Sequence, residues 1–495
     1  MKIYIRYITT TICIIILICC IPSLSFAQSD TSKSEYHKSF NDFNKNIVTE
    51  FNSFKSKNDS IFYHFLEESW RSFELLEDTR PDIPKPIIQP VSDTTSIRNI
   101  EIRPLKRPTI IEDSGKQLIL NGKPANFKIK REIGIPDIPT TTVNFYGLSL
   151  EIPEQTKIES DYSTVSNKDI ALYFKNASNN IYLLTTIELL KEKALENQLN
   201  GWGYIELLKT ASLKLYKGVN NQVLFTWFAL LKTGYDARVG YNDKNILLLA
   251  PFDTPIFFNS YFEANNKKYF YVPYKGQPGN LDAVKSYETT YPGQLEILSL
   301  RFSNNPLLTS KVSTRKVQYH DKTINLSYNG NLIDYYKTYP ECDISVYFPP
   351  PLSKLAISSL NSFIKPQLKN KTDVEKVNFL LDFIQYAIDY QTDEEQFGSE
   401  NYLFAEETIC YPYADCEDRS VLLAQLIKEY LGLNTIAIIY PGHVSLGVNI
   451  KAQIEGAHFE YNNNKYYTAD PTYIGSRLGM IMPEFENVKP EIVEF

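Results

Sequence analysis

The stretch Asp415-Cys416-Glu417-Asp418-Arg419-Ser420 constrains the fold more than any other part of the chain. It opens an apolar run, Val421 to Leu431, in which Leu422, Leu423, Leu426 and Ile427 mark the buried face of a helix. Asp415 is placed to cap that helix, Asp418 to reach back to the cap amide, and Gly432 to end it. Cys416 then lies in the first turn, where unpaired amides and the helix dipole favour a thiolate. Glu417 and Asp418 oppose that charge, so a histidine has to supply much of the activation. Thr435 to Tyr440 reads as a strand, Pro441-Gly442 as a turn, and His443 as the start of the next strand. His458 to Tyr461 and Lys465 to Asp470 read as a hairpin around Asn462-Asn463-Asn464. A sheet on which His443 starts one strand and Asp470 ends another can bring imidazole and carboxylate together, the carboxylate fixing the tautomer. Each residue also has a plainer reading: a buried helix cysteine, a strand-start histidine, and a turn-forming aspartate before Pro471.

Cys416-Glu417-Asp418-Arg419-Ser420 on a helix, Gly442-His443 on a strand and Ala469-Asp470-Pro471-Thr472 closing a hairpin together resemble the bacterial transglutaminase-like superfamily of papain-like cysteine enzymes. The resemblance runs from Val374 to Pro483, and includes the Glu407-Thr408 segment before the thiol. It implies an α+β C-terminal core, a cysteine-bearing helix packed on an antiparallel sheet, and a triad of Cys416, His443 and Asp470. The connection from His443 to Asp470 is long for that family and contains His458, a rival base. The Cys416 amide is one oxyanion donor; Gln391, Gln396, Tyr411 and Tyr413 compete for the second. Asp418 and Arg419 read as structural, a cap and a surface or paired charge. No zinc spacing and no glycine-rich phosphate loop is found, so neither metal nor cofactor is expected.

The rest of the chain sets the context. Lys2 and Arg6, the apolar run Ile8 to Ile21 and Ser25-Phe26-Ala27 read as a signal peptide over 1–27, giving an exported, periplasmic or extracellular protein with no integral span once it is cleaved. The chain carries a net charge of −7. With no basic run to offset it, a nucleic-acid partner is excluded. Beyond the leader the cysteines are Cys342, Cys410 and Cys416, an odd set that leaves at least one thiol free; a Cys342–Cys410 pair stays open.

Residues 28–80 read as helical, with Phe40, Ile47, Phe54 and Ile61 on one stripe and Phe43, Phe51, Phe65 and Phe73 on its neighbour, a face that could also receive a protein partner. A Pro-rich linker follows at 81–97. Residues 98–165 read as β-rich, with Gln117 to Leu120 before an Asn121-Gly122 turn, and 281–340 as a second β-rich module, with Thr323 to Tyr328 before Asn329-Gly330. Between and after them, 166–280 and 341–495 read as two related copies. Ile170, Tyr173 and Phe174 recur as Ile344, Tyr347 and Phe348, and Val223, Leu224 and Gly234 as Val421, Leu422 and Gly432. Phe262-Glu263, Asn265-Asn266 and Lys268-Tyr269 recur as Phe459-Glu460, Asn462-Asn463 and Lys465-Tyr466. The second copy carries extra residues between Tyr390 and Val421, leading into Cys416. In the first, Gly218, Asn245 and Pro273 fall opposite Cys416, His443 and Asp470, which makes 166–280 a degenerate copy and 341–495 the catalytic one.

Two functions fit. One is an exported cysteine-dependent acyl-transfer enzyme on peptide or amide bonds, a protease or amidase before a transglutaminase, with a protein or peptide substrate. The other is a catalytically silent binding or scaffold protein built on the same fold.

Overall fold

The computed structural model describes residues 57–80, 85, 139–160, 162, 164–242, 244–279 and 281–495. The expected leader, the helical stripe before residue 57, the Pro-rich linker apart from Lys85, and residues 98–138 with their Asn121-Gly122 turn lie outside the described residues. The chain divides into two compact units, Met1–Ile61 and Phe62–Phe495. Of the first, residues 57–61 are described and helical. The second unit holds all of the described strands.

Residues 62–68 are helical and lead into strands β1 (Trp70–Glu74) and β2 (Leu76–Glu77). A hairpin comes next, β3 (Thr140–Phe145) and β4 (Leu148–Pro153). Four helices succeed it: α1 (Asn167–Ser178), α2 (Ile181–Glu196), α3 (Gly201–Leu215) and α4 (Val219–Lys232). Five strands complete this half: β5 (Arg238–Asn242), β6 (Asn245–Ala250), β7 (Ser260–Ala264), β8 (Lys267–Val272) and β9 (Ala283–Tyr287). The second half opens with the hairpin β10 (Val312–Tyr319) and β11 (Lys322–Asn329), then α5 (Gly330–Tyr336), α6 (Lys354–Leu368) and α7 (Asp373–Ala387). A short excursion holds β12 (Asp389–Tyr390), α8 (Asp393–Phe397), α9 (Ala405–Cys410) and β13 (Tyr413–Ala414). Helix α10 (Cys416–Leu431) leads into β14 (Thr435–Tyr440), β15 (His443–Asn449), β16 (His458–Tyr461), β17 (Asn464–Ala469) and β18 (Glu491–Val493). The protein is thus a mixed α+β chain whose two large sheets are antiparallel.

The two halves carry the same topology. The first sheet is ordered β1-β9-β5-β6-β8-β7-β2 and the second β16-β17-β15-β14-β18. Without its two edge strands, the first reads β7-β8-β6-β5-β9, the second sheet strand for strand. Each half also carries a hairpin, β3–β4 or β10–β11, and a buried helix, α4 or α10, just before the five strands that the two sheets share in order. One difference has a visible cause. Ile170, Tyr173 and Phe174 lie on α1, whereas Ile344, Tyr347 and Phe348 lie around a single 3-10 turn. The run Pro349-Pro350-Pro351 forbids a helix there. All six side chains are buried nonetheless, so packing is kept where the backbone is not. One hydrophobic core extends from Phe62 to Val493 and serves both halves. No helix of the described residues is long and apolar enough to cross a membrane.

Three local expectations change. Residues 70–77, counted with the helical segment, form strands: Phe73 pairs with Val284 of β9 and packs on Phe262 at 4.3 Å between ring centroids. The loosely spaced stripe of Phe43, Phe51, Phe65 and Phe73 is weak against the backbone bonds and aromatic contact that a sheet edge offers. Asn329-Gly330 does not turn a hairpin. The β10–β11 turn falls at His320-Asp321, and Asn329 caps α5, accepting from the Asn331 amide at 3.2 Å. Cys342, Cys410 and Cys416 are all free, so the pairing left open by the sequence is not made.

The excursion before α10 is pinned by buried carboxyls. Glu407 on α9 accepts from the Phe404 amide at 3.1 Å, and burial pushes its carboxyl up to about 8, against the opposing pull of that amide and of Lys337. Between the ordinary carboxyl value of 4.5 and 8 the folded protein holds a proton that the unfolded chain has released. Stability from this group is therefore full in acid and declines as pH rises toward 8. Glu407→Gln keeps an oxygen for the Phe404 amide and removes the decline. The variant should gain on the order of 3–5 kcal/mol over wild type above pH 8 and little below pH 4.5, at 1.36 kcal/mol per pKa unit. Urea midpoints for both proteins at the two extremes measure it; a gap that does not change with pH contradicts it.

Candidate active site

Helix α10 is buried over its first three turns, Cys416 through Ile427. Asp415 stands at its N-cap in an extended conformation, and Gly432 ends it with φ +62 in the left-handed region that glycine enters without strain. The capping box expected of Asp415 and Asp418 is not formed. Asp415 makes no side-chain cap bond and pairs with Lys85, while Asp418 Oδ1 accepts from the Leu403 amide at 2.8 Å. A buried carboxylate gains more from an ammonium than from a neutral amide, which explains the choice.

The His–Asp pair is assembled. His443 begins β15, one residue after the tight turn at Gly442 with φ +71. Asp470 follows β17, the strand hydrogen-bonded to β15. Nε2 of His443 lies 2.8 Å from Oδ2 of Asp470. The other carboxylate oxygen, Oδ1, accepts from the Thr472 and Tyr473 amides at 2.9 and 3.1 Å. Asp470 is thus turn former and histidine partner at once. Gln385 of α7 holds the same loop: its amide donates to the carbonyls of Asp470, Tyr473 and Ser476, and its oxygen accepts from the Gly475 amide. Phe485 stacks on the imidazole with 5.1 Å between centroids and a 6° tilt. A carboxylate at Nε2 requires the proton there, which leaves the lone pair on Nδ1. Nδ1 is buried and has no hydrogen-bond partner.

The thiol is bonded elsewhere, although its helix meets the strand that carries His443. One turn after Cys416, Ser420 donates to the Val444 carbonyl at 3.0 Å, so the start of α10 meets the start of β15 beside His443. Cys416 Sγ nevertheless donates to Glu417 Oε2 at 2.9 Å. Burial, then the Glu417 charge, pushes the thiol well above its ordinary range, with Lys85 pulling the other way and Asp415 adding to the rise. Burial works against charge on Glu417 too, yet Lys85 and the hydrogen bonds with Asp415 and Cys416 together outweigh it and hold that carboxyl at about 2. So weak a base leaves the proton on sulfur at neutral pH.

Lys85 is the site residue that sequence reasoning missed. Its ammonium bonds Asp415, Glu417 at 2.6 Å and Glu400 at 3.3 Å. Burial opposes the charge, but Glu417, Cys416, Asp415 and Glu400 together hold its pKa above the ordinary lysine range. It reaches the cluster from 330 positions away in sequence, a partnership that no local pattern encodes. Arg419, expected at the surface or in a charge pair, is 1% exposed. It donates to the carbonyls of Ile388 and, at 3.3 Å, Pro471, because burial leaves a guanidinium no water to use. His458, the rival base, sits on the edge strand β16 with Nδ1 3.0 Å from the nearby Gly456 carbonyl. Gln396 is occupied at both ends by the Tyr413 backbone at 3.2 Å, which takes it out of the oxyanion candidates; Tyr413 is exposed. Tyr411 packs its ring on Phe397.

The first half lacks these groups. Asn245 begins β6 and Pro273 follows β8, the places of His443 and Asp470, but Gly218 caps α4 in the place of Asp415 rather than of Cys416, where Val219 stands. Among cation-holding arrangements in the second half, Asp393, Asp415 and Asp418 gather their carboxylates closely enough to share an ion. No family model, curated protein or solved structure matches the chain.

Proposed function

We propose that the protein is an exported cysteine-dependent acyl-transfer enzyme with a transglutaminase-like core over 341–495, acting on peptide or amide bonds by hydrolysis rather than transamidation. Residues 166–280 form the degenerate copy of that core. The observation that carries the reading is Nδ1 of His443: a buried, unpartnered lone pair, oriented by Asp470 and Phe485, next to the helix start that bears Cys416. Buried polar atoms without partners are rare, and a catalytic role is one of the few reasons to keep one. In the reaction Cys416 swings from Glu417 toward Nδ1, by a change of rotamer at one side chain. His443 takes the thiol proton, sulfur attacks the carbonyl carbon, and the Cys416 amide receives the oxyanion. The imidazolium returns its proton to the leaving amine, and water then releases the acyl group with His443 as base.

A second reading is favoured by one specific observation. The thiol is buried, bonded to Glu417 and pushed up in pKa, as suits a silent scaffold. Exposure of the native protein to p-nitrophenyl acetate, with peptide mapping afterwards, separates the two. The enzyme reading expects an acetyl adduct on Cys416 that disappears in His443→Ala. Acetylation of Cys416 only after unfolding establishes the scaffold.

A further inference from the structure

We propose that Asp393, Asp415 and Asp418 form a binding site for one hard divalent cation of calcium type. One oxygen from each of the three lies within 4.8 Å of the others, the span across such an ion when its ligands stand at roughly 2.4 Å. A group of acidic residues alone would argue nothing, but these three are held in a particular way. Each carboxylate is anchored through one oxygen. Asp393 Oδ2 accepts from the Asn401 amide at 2.7 Å, Asp418 Oδ1 from the Leu403 amide at 2.8 Å, and Asp415 Oδ2 from Lys85. The second oxygen of each, Asp393 Oδ1, Asp415 Oδ1 and Asp418 Oδ2, is buried without any hydrogen-bond partner. The residues are 1%, 0% and 0% exposed. Outer hydrogen bonds that aim carboxylates while leaving their remaining oxygens free are how proteins prepare metal ligands.

Charge points the same way. Lys85 is the ammonium bonded into this cluster, and it faces Glu400 and Glu417 as well as Asp415. Arg80 and Arg419 act on Glu400 and Asp415 as well, whereas neither Asp393 nor Asp418 is ion-paired to Lys85, which leaves those two carboxyls for a doubly charged ion. An all-oxygen set selects a hard cation, calcium or magnesium class, over zinc or copper. The neighbouring group of Asp415, Cys416 and Glu417 would suit a softer metal, but there Glu417 spends one oxygen on Lys85 and the other on the thiol. The first half has no counterpart: Asp393 belongs to the excursion between α7 and α10, and in the first half α3 and α4 are joined directly through Tyr216 to Gly218. The site is independent of whether Cys416 is catalytic.

The test uses the chain without its leader, stripped with EDTA and titrated with CaCl2, MgCl2 and MnCl2 at neutral pH, read by calorimetry and by thermal unfolding. One saturable site is expected, with a Tm that climbs with the logarithm of calcium concentration past saturation. Asp393→Asn keeps an acceptor for the Asn401 amide and should weaken binding at least tenfold; Asp418→Asn, which keeps one for Leu403, should do the same and stands in if the first variant fails to fold. Absence of saturable heat and of any Tm shift up to about 10 mM of each ion, above the weakest extracellular calcium sites, overturns the proposal. So does calcium binding of undiminished strength in both variants. In either event protons, Lys85 and the nearby Arg80 and Arg419 neutralise the cluster.

Discussion

Asp470→Asn should slow acylation of Cys416 by about 10³–10⁴-fold, the loss expected when a catalytic imidazole is set in the wrong tautomer. The substitution isolates one bond. Asparagine keeps Oδ1 for the Thr472 and Tyr473 amides, so the turn after β17 survives. At the other position it presents an N–H in place of Oδ2, 2.8 Å from Nε2 of His443. Nε2 must then accept, the ring proton moves to Nδ1, and the lone pair that would take the thiol proton is gone. The rate of adduct formation on Cys416 with p-nitrophenyl acetate, tracked by mass spectrometry, measures the effect, and an unchanged Tm shows that the fold is intact. A variant acylated within tenfold of wild type removes His443 from the chemistry.

Arg419→Leu should be the most damaging single change to stability among these residues, about 3–5 kcal/mol. Arg419 crosses from α10 to two segments that must stay in place, the end of α7 at Ile388 and the loop at Pro471. Leucine fills much of the volume but strands two carbonyls in a dry interior, at about 1–3 kcal/mol each. The lost contact with the Tyr390 ring, 5.3 Å from the guanidinium carbon, adds to that. The urea midpoint reports the loss; a change of less than about 1 kcal/mol would mean that water reaches those carbonyls. Because Pro471 directly follows Asp470, the variant should also lower Cys416 acylation, tying stability and site geometry to one side chain.

Legibility in the sequence differs from residue to residue. Helix α10 was legible because Leu422, Leu423, Leu426, Ile427 and the stop at Gly432 are local signals. The β16–β17 turn was legible for the same reason: Asn462 and Asn463 both take positive φ, a conformation that asparagine tolerates. So was the placing of His443 at the head of β15. Phe73 was not legible, since its strand exists only because β9 lies beside it. Local spacing puts Asp418 at the cap, whereas its partner, the Leu403 amide, belongs to an excursion whose path has no periodicity to trace. Nothing local distinguishes Gln385 from ordinary helix residues, though it carries the loop that positions Asp470.

The amino-acid order by itself determined the elements: a helix beginning at a thiol and ended by Gly432, strands headed by a histidine and trailed by an aspartate, and an earlier run of helices and strands in like order. These come from spacing, turn residues and burial periodicity, which act over a few positions. Only the tertiary structure decided the partners. It gave the imidazole its carboxylate, the thiol a glutamate in place of that imidazole, and the acidic cluster a lysine from 330 residues upstream. Ion pairs and hydrogen bonds of that kind form between groups that packing happens to bury together, and their strength depends on the water excluded around them. Neither the neighbour nor the dielectric is written into a local stretch of sequence.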